Sequence, residues 1–290
     1  MRIATAAYPM DPIESWDAWT RKARTWVAEA CAGPGADLLV FPEYGAMELA
    51  YLDGAAAAAD LETSLHAAAR HGPRAQEVWA ELAVAHGCHI LAPSSPWEAG
   101  RDRPVNRAWL HGPGGTLGYQ DKQVMTRFER DPWGVVPGDP LRLFEIDGLK
   151  IGVLICYDVE FPALGQALIA GGADLILAPS CTDTVAGFHR VRIGAMARAL
   201  EGQCVTVHSP TVGACDWSPA VDENHGRAAI YAPPDLGFPE TGIVSEGGPD
   251  IPGWVRAEID PAAIARVRQE GSVGNRADWA EAATAAARME

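Results

Sequence analysis

Two stretches of this chain are near copies of one another, and they constrain the fold more than any other feature. Pro34-Gly-Ala-Asp37-Leu-Leu-Val-Phe41-Pro42 and Gly171-Gly-Ala-Asp174-Leu-Ile-Leu-Ala-Pro179 each end a helix at glycine, run a short buried strand and stop it at proline. They read as pseudo-equivalent α-to-β units, the internal order of an α/β sheet sandwich. Further strands are expected at residues 1–8, 89–93, 107–111, 204–208, 227–231 and 255–259. Helices are expected near 14–32, 64–86, 188–201 and 261–269, with a terminal helix in the alanine-rich tail 278–289.

Polar residues punctuate three of the apolar strands at their exits. Glu43 follows Phe41-Pro42. The segment Trp109 to Lys122 reads as a hairpin turning at Gly114-Gly115, whose second arm delivers Lys122. Lys150-Ile-Gly-Val-Leu-Ile-Cys156-Tyr-Asp158 runs a buried strand into a cysteine, and Pro162 then opens a helix whose amino terminus would favour thiolate over thiol. A carboxylate to take a thiol proton, a cysteine to attack an acyl carbon and an ammonium to hold the oxyanion make a coherent set for acyl transfer. By its place after the second repeat, Ser180 corresponds to Glu43, so Ser180, Cys181 and Thr182 are expected at the mouth of a pocket.

Taken in order, Phe41-Pro42-Glu43, Asp121-Lys122, Gly152-Val-Leu-Ile-Cys156-Tyr-Asp158, Gly172-Ala-Asp174-Leu-Ile-Leu-Ala-Pro179 and Arg198-Ala-Leu-Glu201 resemble the nitrilase (carbon-nitrogen hydrolase) superfamily, from Met1 to about Ile259. The resemblance implies a four-layer α-β-β-α sandwich and a Glu-Lys-Cys triad, with Glu43 as general base, Lys122 as oxyanion stabiliser and Cys156 as nucleophile. It also implies no metal or organic cofactor, and a homodimer or larger homo-oligomer. Residues 1–290 would form one carbon-nitrogen hydrolase domain, with about 260–290 a helical extension at an oligomer interface. Lys122, Thr126, Glu129-Arg130 and Trp133-Gly134 resemble the lysine loop of true nitrilases. Glu129 there matches a second glutamate of the family, which beside Lys122 would keep the lysine charged. Phe128 and Trp133 flank it, and with Tyr157, Glu160, Cys181 and Thr182 they are the candidate substrate-binding residues.

The departures from that pattern bear on the substrate. Tyr157-Asp158 follows the cysteine where true nitrilases usually have Trp-Glu, which favours an amide over a nitrile. Glu160 stands where many relatives place an arginine for a substrate carboxylate, so neutral or cationic amides are expected to be preferred, unless Glu160 is ion-paired with Arg192 or Lys122. A nitrilase, an N-acyltransferase with the same triad, and a non-catalytic ligand-binding relative are the alternative readings.

Composition bounds the partners. A formal charge of −15 argues against nucleic acid or an anionic membrane surface. No apolar run is long enough to span a bilayer, and six cysteines without paired spacing suit a reducing compartment, so a cytoplasmic protein is expected. His86-Gly-Cys88-His89 lacks the second pair of a metal site, and Gly112 to Gly118 is a hairpin turn, not a phosphate loop.

Overall fold

The computed structural model describes residues 1–288. The first half runs β1 (Arg2–Pro9), α1 (Trp16–Cys31), β2 (Leu38–Val40), a 3₁₀ segment (Gly45–Asp53), α2 (Ala55–Ala58) and the long α3 (Leu61–His86). Then come β3 (His89–Leu91), β4 (Ser95–Trp97), β5 (Val105–Gly112), β6 (Gly115–Asp121) and the single-turn α4 (Arg127–Arg130). The second half begins with β7 (Leu143–Ile146), β8 (Leu149–Val153), a 3₁₀ turn (Cys156–Glu160), α5 (Pro162–Ala170), β9 (Leu175–Ser180), α6 (Val185–Gly202) and β10 (Val205–Ala214). It ends with β11 (Glu223–Asn224), β12 (Ala229–Tyr231), β13 (Ile243–Glu246), β14 (Gly253–Glu258), α7 (Pro261–Glu270) and α8 (Trp279–Ala286).

The expected strands and helices are present, with ends displaced by a few residues. Helix α8 has no buried residue, and the part of the expected tail helix at 289 lies outside the described residues. Strand β10 continues well past residue 208, to Ala214, while β12 starts only at Ala229.

The strands follow one hydrogen-bonded path, β4-β5-β3-β2-β1-β10-β9-β8-β7. It bends sharply where β1 and β10 pair as strands at Tyr8↔Thr211 and Pro9↔Val212, which folds the curled sheet into two facing leaves. Alternation then decides the layers. Ile3, Leu38 and Val40 of the first leaf pack with Ile151, Leu175, Leu177, Val205 and Val207 of the second. Ala4, Ala6 and Leu39, one residue out of phase, pack instead with Trp19, Val27 and Trp79 of α1 and α3. On the far side Val191, Ala195 and Ala199 of α6 cover the second leaf. The result is the four-layer α-β-β-α sandwich, and every central strand is buried on both faces, hence the continuous apolar runs.

The repeats fall on equivalent strands. β2 lies beside β1 and β9 beside β10, parallel in both cases, so the chain leaves both at the same end of the sandwich. Strand β8 joins that end, pairing β9 in parallel through Val153↔Leu177. Three strand exits therefore open onto one place.

Candidate active site

Each side chain at that place is held by its own local structure. Phe41 N–H donates to Leu91 O, and Pro42 then turns the chain so that Glu43 leaves the sheet, with Tyr44 in the left-handed region at φ 51°. Lys122 arrives on the β5–β6 hairpin. The register of that hairpin is pinned by Arg107, whose guanidinium donates to both Asp121 oxygens at 2.7 and 2.9 Å in a buried bidentate pair. Glu129 belongs to a capping box: Thr126 Oγ1 accepts from Glu129 N, while Thr126 N donates to Glu129 Oε2 at 2.9 Å. Cys156 opens a 3₁₀ turn at φ 51°, a strained value for a residue with a side chain.

Glu43, Lys122 and Glu129 form one buried ionic network. Lys122 Nζ donates to Glu43 Oε1 at 2.7 Å and to Glu129 Oε2 at 2.6 Å. Glu43 Oε1 also accepts from Asn106 Nδ2 at 2.9 Å, and Oε2 from Cys181 N at 3.0 Å. Tyr44 OH donates to the other Glu129 oxygen at 2.8 Å. Burial opposes every charge here, so partners decide each case. Burial pushes Glu43 up to about 7 against the pull of Lys122. Glu129 is held below the usual range because Lys122, Thr126 and Tyr44 outweigh its burial. Lys122 stays protonated, its desolvation overcome by the two glutamates.

The Cys156 thiol corrects one expectation. Burial first, and then the Glu43 charge, push it up, with Lys122 opposing, so it is not a lowered thiol. The physical reason is distance from a helix terminus: α5 begins only at Pro162, beyond the 3₁₀ turn. The thiol contacts Cys181 O at 3.7 Å, and it is coupled to Glu43 first by charge and also by hydrogen bonding between the two side chains. Asp158 ties this turn to the lysine loop by accepting the N–H groups of Gln123 and Val124 at 3.0 and 2.8 Å.

These groups floor a cavity of about 500 Å³. Tyr157, Glu160, Cys181, Thr182, Phe128 and Trp133 all line it. Trp133 is buried, its ring 4.7 Å from that of Tyr44, whereas Phe128 is partly exposed at the mouth. Ser180 does not line it, contrary to the equivalence with Glu43. In the aligned repeats β9 runs three residues further than β2, through Ala178 and Pro179 to Ser180 paired with Pro210, so Ser180 stays in the sheet with its hydroxyl 2.7 Å from His208 Nε2. Cys181 takes the exit position instead. Glu160 is not directed at Arg192 or Lys122, since Arg192 pairs with Glu246 and Lys122 with the network. Its partner is Arg190, at 3.5 Å.

Several lining or supporting groups carried no signal in the sequence. Asp158 stood inside a quoted motif without a role, Tyr44 lay just past Phe41-Pro42-Glu43, and Asn106 lay just before the strand expected at 107–111. Arg127, Asp183, Asp222 and Glu223 line the mouth from a helix start, loops and the first residue of β11.

The carbon-nitrogen hydrolase family matches residues 2–269. Probable hydrolase YhcX of Bacillus subtilis (strain 168) is 33% identical over 278 residues, 94% of this chain and 52% of that protein, so the chain spans about half the length of that relative. Omega-amidase NIT2 of Danio rerio is 28% identical over 258 residues, 86% of this chain and 85% of its own. Among solved structures, Saccharomyces cerevisiae Nit3, of branch 10 of the nitrilase superfamily, superposes with a TM-score of 0.72 at 21% identity, covering 93% of each chain. The amidase from Nesterenkonia sp. AN1, in a form with acrylamide added at its active-site cysteine, superposes with a TM-score of 0.64 at 23% identity, covering 93% of this chain and 96% of that one.

Proposed function

The chain belongs to the carbon-nitrogen hydrolases of the nitrilase superfamily, and from that premise we propose that it hydrolyses a small amide through a thioester on Cys156. The observation that carries this reading is the buried Lys122, bonded at once to Glu43 and Glu129 on the floor of a cavity that Cys156 also lines. An ammonium held this way is a preorganised charge for an oxyanion, since it needs no reorientation when negative charge develops.

In the proposed cycle Glu43 takes the Cys156 proton as sulfur attacks the amide carbon. The S–C bond forms, and the carbonyl oxygen becomes an oxyanion held by Lys122 and a backbone N–H just after Cys156. Glu43 returns the proton to the leaving nitrogen, the C–N bond breaks and the amine departs. Water, deprotonated by Glu43, attacks the thioester, and collapse of the second tetrahedral species releases the acid and the thiol. Glu129 keeps Lys122 charged and in place.

An amide is favoured over a nitrile by Tyr157-Asp158 after the cysteine, and by the amidase names among the relatives. Substrate charge follows from the mouth, where two arginines, Arg127 and Arg190, face four acids, Glu160, Asp183, Asp222 and Glu223. Arg190 pairs with Glu160, and no ion pair engages the other three acids among the described residues. A mouth of that balance disfavours anionic substrates, so neutral or cationic amides are proposed. Assembly into a dimer or larger homo-oligomer is part of the same proposal, with the uncovered α8 a surface to watch in size-exclusion measurements of a truncation.

The test is release of ammonia or amine across a panel of amides and nitriles, run beside Cys156→Ala, with intact-mass trapping of the acyl adduct. Turnover of amides with an adduct on Cys156 is expected. Tight binding without turnover by any member would replace the enzyme reading with a binding one.

A further inference from the structure

Asn106 touches the network at Glu43 itself, and the cycle above leaves it without a part. The β5–β6 hairpin carries it opposite the lysine, because Lys122 N–H donates to Asn106 O at 2.9 Å. Residues opposed in this way project from the same face of a hairpin, and here both side chains end on the same atom. Glu43 Oε1 accepts from Lys122 Nζ at 2.7 Å and from Asn106 Nδ2 at 2.9 Å, whereas among the described residues the one backbone donor to Oε2 is Cys181 N, at 3.0 Å. A carboxylate oxygen offers two lone-pair directions. Oε1 is therefore filled, and Oε2 keeps one direction open.

The amide is not there for its own hydrogen-bond balance. Asn106 is fully buried, and its Oδ1 has no partner among the described residues. A leucine of about the same shape would remove that orphaned acceptor altogether. What the asparagine contributes is its single bond to Glu43.

We infer that Asn106 is a positioning residue that makes Glu43 a one-sided base, filling Oε1 together with Lys122 so that proton exchange is confined to Oε2. The proton that leaves Cys156 Sγ as the S–C bond forms goes onto Oε2, and the same oxygen returns it to the leaving nitrogen. Oε1 never takes a proton, so Lys122 keeps its bond to the carboxylate while it holds the oxyanion. A donor to the ionised carboxylate also favours that form, so removing it moves the titration of the base to higher pH.

This inference rests on the proposal that Glu43 is the base, and its test separates the two. The rate at which iodoacetamide alkylates Cys156, followed peptide by peptide so that Cys181 is not mistaken for it, is measured against pH in wild type, Glu43→Gln, Asn106→Leu and Asn106→Asp. The acidic limb of the wild-type profile should be lost or displaced in Glu43→Gln. In Asn106→Leu it should rise by roughly half a pH unit or more, and further in Asn106→Asp, which sets a second carboxylate beside the first. With a substrate in hand, Asn106→Leu should lower kcat by roughly tenfold or more with KM within about threefold. A limb that moves in Glu43→Gln but coincides with wild type in both Asn106 variants overturns the role given to Asn106. One that is unmoved even in Glu43→Gln overturns Glu43 as the base. If the leucine variant fails to fold, the aspartate variant carries the comparison.

Discussion

On the floor of the cavity Glu43, Lys122, Glu129 and Cys156 are 1%, 1%, 3% and 4% exposed, while at its mouth Arg127, Asp183, Asp222 and Glu223 stand in solvent. Both regions are rich in charge, yet the same charge is worth different amounts in each. Two unit charges 4 Å apart interact by about 1 kcal/mol in water and about 4 kcal/mol at the effective dielectric of a partly buried site. The floor is also tied together by short hydrogen bonds, whereas the three mouth acids make no ion pair among the described residues. The contrast teaches that an ionisable residue near a reactive cysteine can serve chemistry or selection, and that burial with bonded partners distinguishes the two.

The largest effect expected is at the nucleophile. Cys156→Ala should lose turnover by ~10⁴-fold or more, while Cys181→Ala, on the wall, should keep activity with an altered KM. Steady-state rates beside adduct mapping decide it, and an acyl adduct on Cys181 would break the division between floor and wall.

Next come the charges of the floor. Lys122→Ala and Glu43→Gln should each lower kcat by at least ~10²-fold. Lys122→Ala should also lower Tm, because it leaves two buried carboxylates facing each other without their cation, a change of about 3–5 kcal/mol for a broken buried pair. Thermal unfolding reads that part, and an unchanged Tm would mean that the network is wetter than its burial indicates.

The pH profile sharpens the contrast further. Burial lifts Glu43 to about 7, and only its ionised form can accept the thiol proton, so kcat/KM should rise with pH through that region and be low near pH 5. Lys122 lies well above its ordinary range and should contribute no loss below it. An acidic limb at the ordinary carboxylate position, near 4.5, would show that the floor is not desolvated.

The smallest effects belong to the mouth. The double change Asp222→Asn with Glu223→Gln should reduce the ratio of kcat/KM for a cationic over a carboxylate-bearing amide by only several-fold, and less at high salt. Glu160→Gln, which frees Arg190, should move the same ratio in the same direction. A mouth variant that lost ~10²-fold in kcat would dissolve the comparison.

The sequence made the floor legible because its residues interrupt strands. Apolar runs fix where β2 and β8 end, the Gly114-Gly115 turn fixes the arm that delivers Lys122, and a polar residue placed just past such an end has few structural reasons to be there. Asn106 escaped because it lies within β5, where one polar residue breaks no pattern, and its meaning depends on the residue opposite it. The part played by Asp158 depends on backbone N–H groups some 35 positions away in the chain, at Gln123 and Val124. Ser180 was misplaced because the repeat preserves strand identity but not strand length: Ala178, Pro179 and Ser180 stay paired with β10, and the Ser180 hydroxyl meets His208 instead of the cavity. The mouth acids come largely from a connecting loop without periodicity, so only the folded chain brings them together.

The left-handed backbone at Cys156 has a consequence for stability. At φ 51° a side chain of any kind is unfavourable and glycine is not. In most buried positions alanine is tolerated better than glycine, but here that order should invert, with Cys156→Gly melting above Cys156→Ala in thermal unfolding. The chain thus places its reactive residue at a point where a residue useless for chemistry would relieve the backbone, and durability has been surrendered there for reactivity.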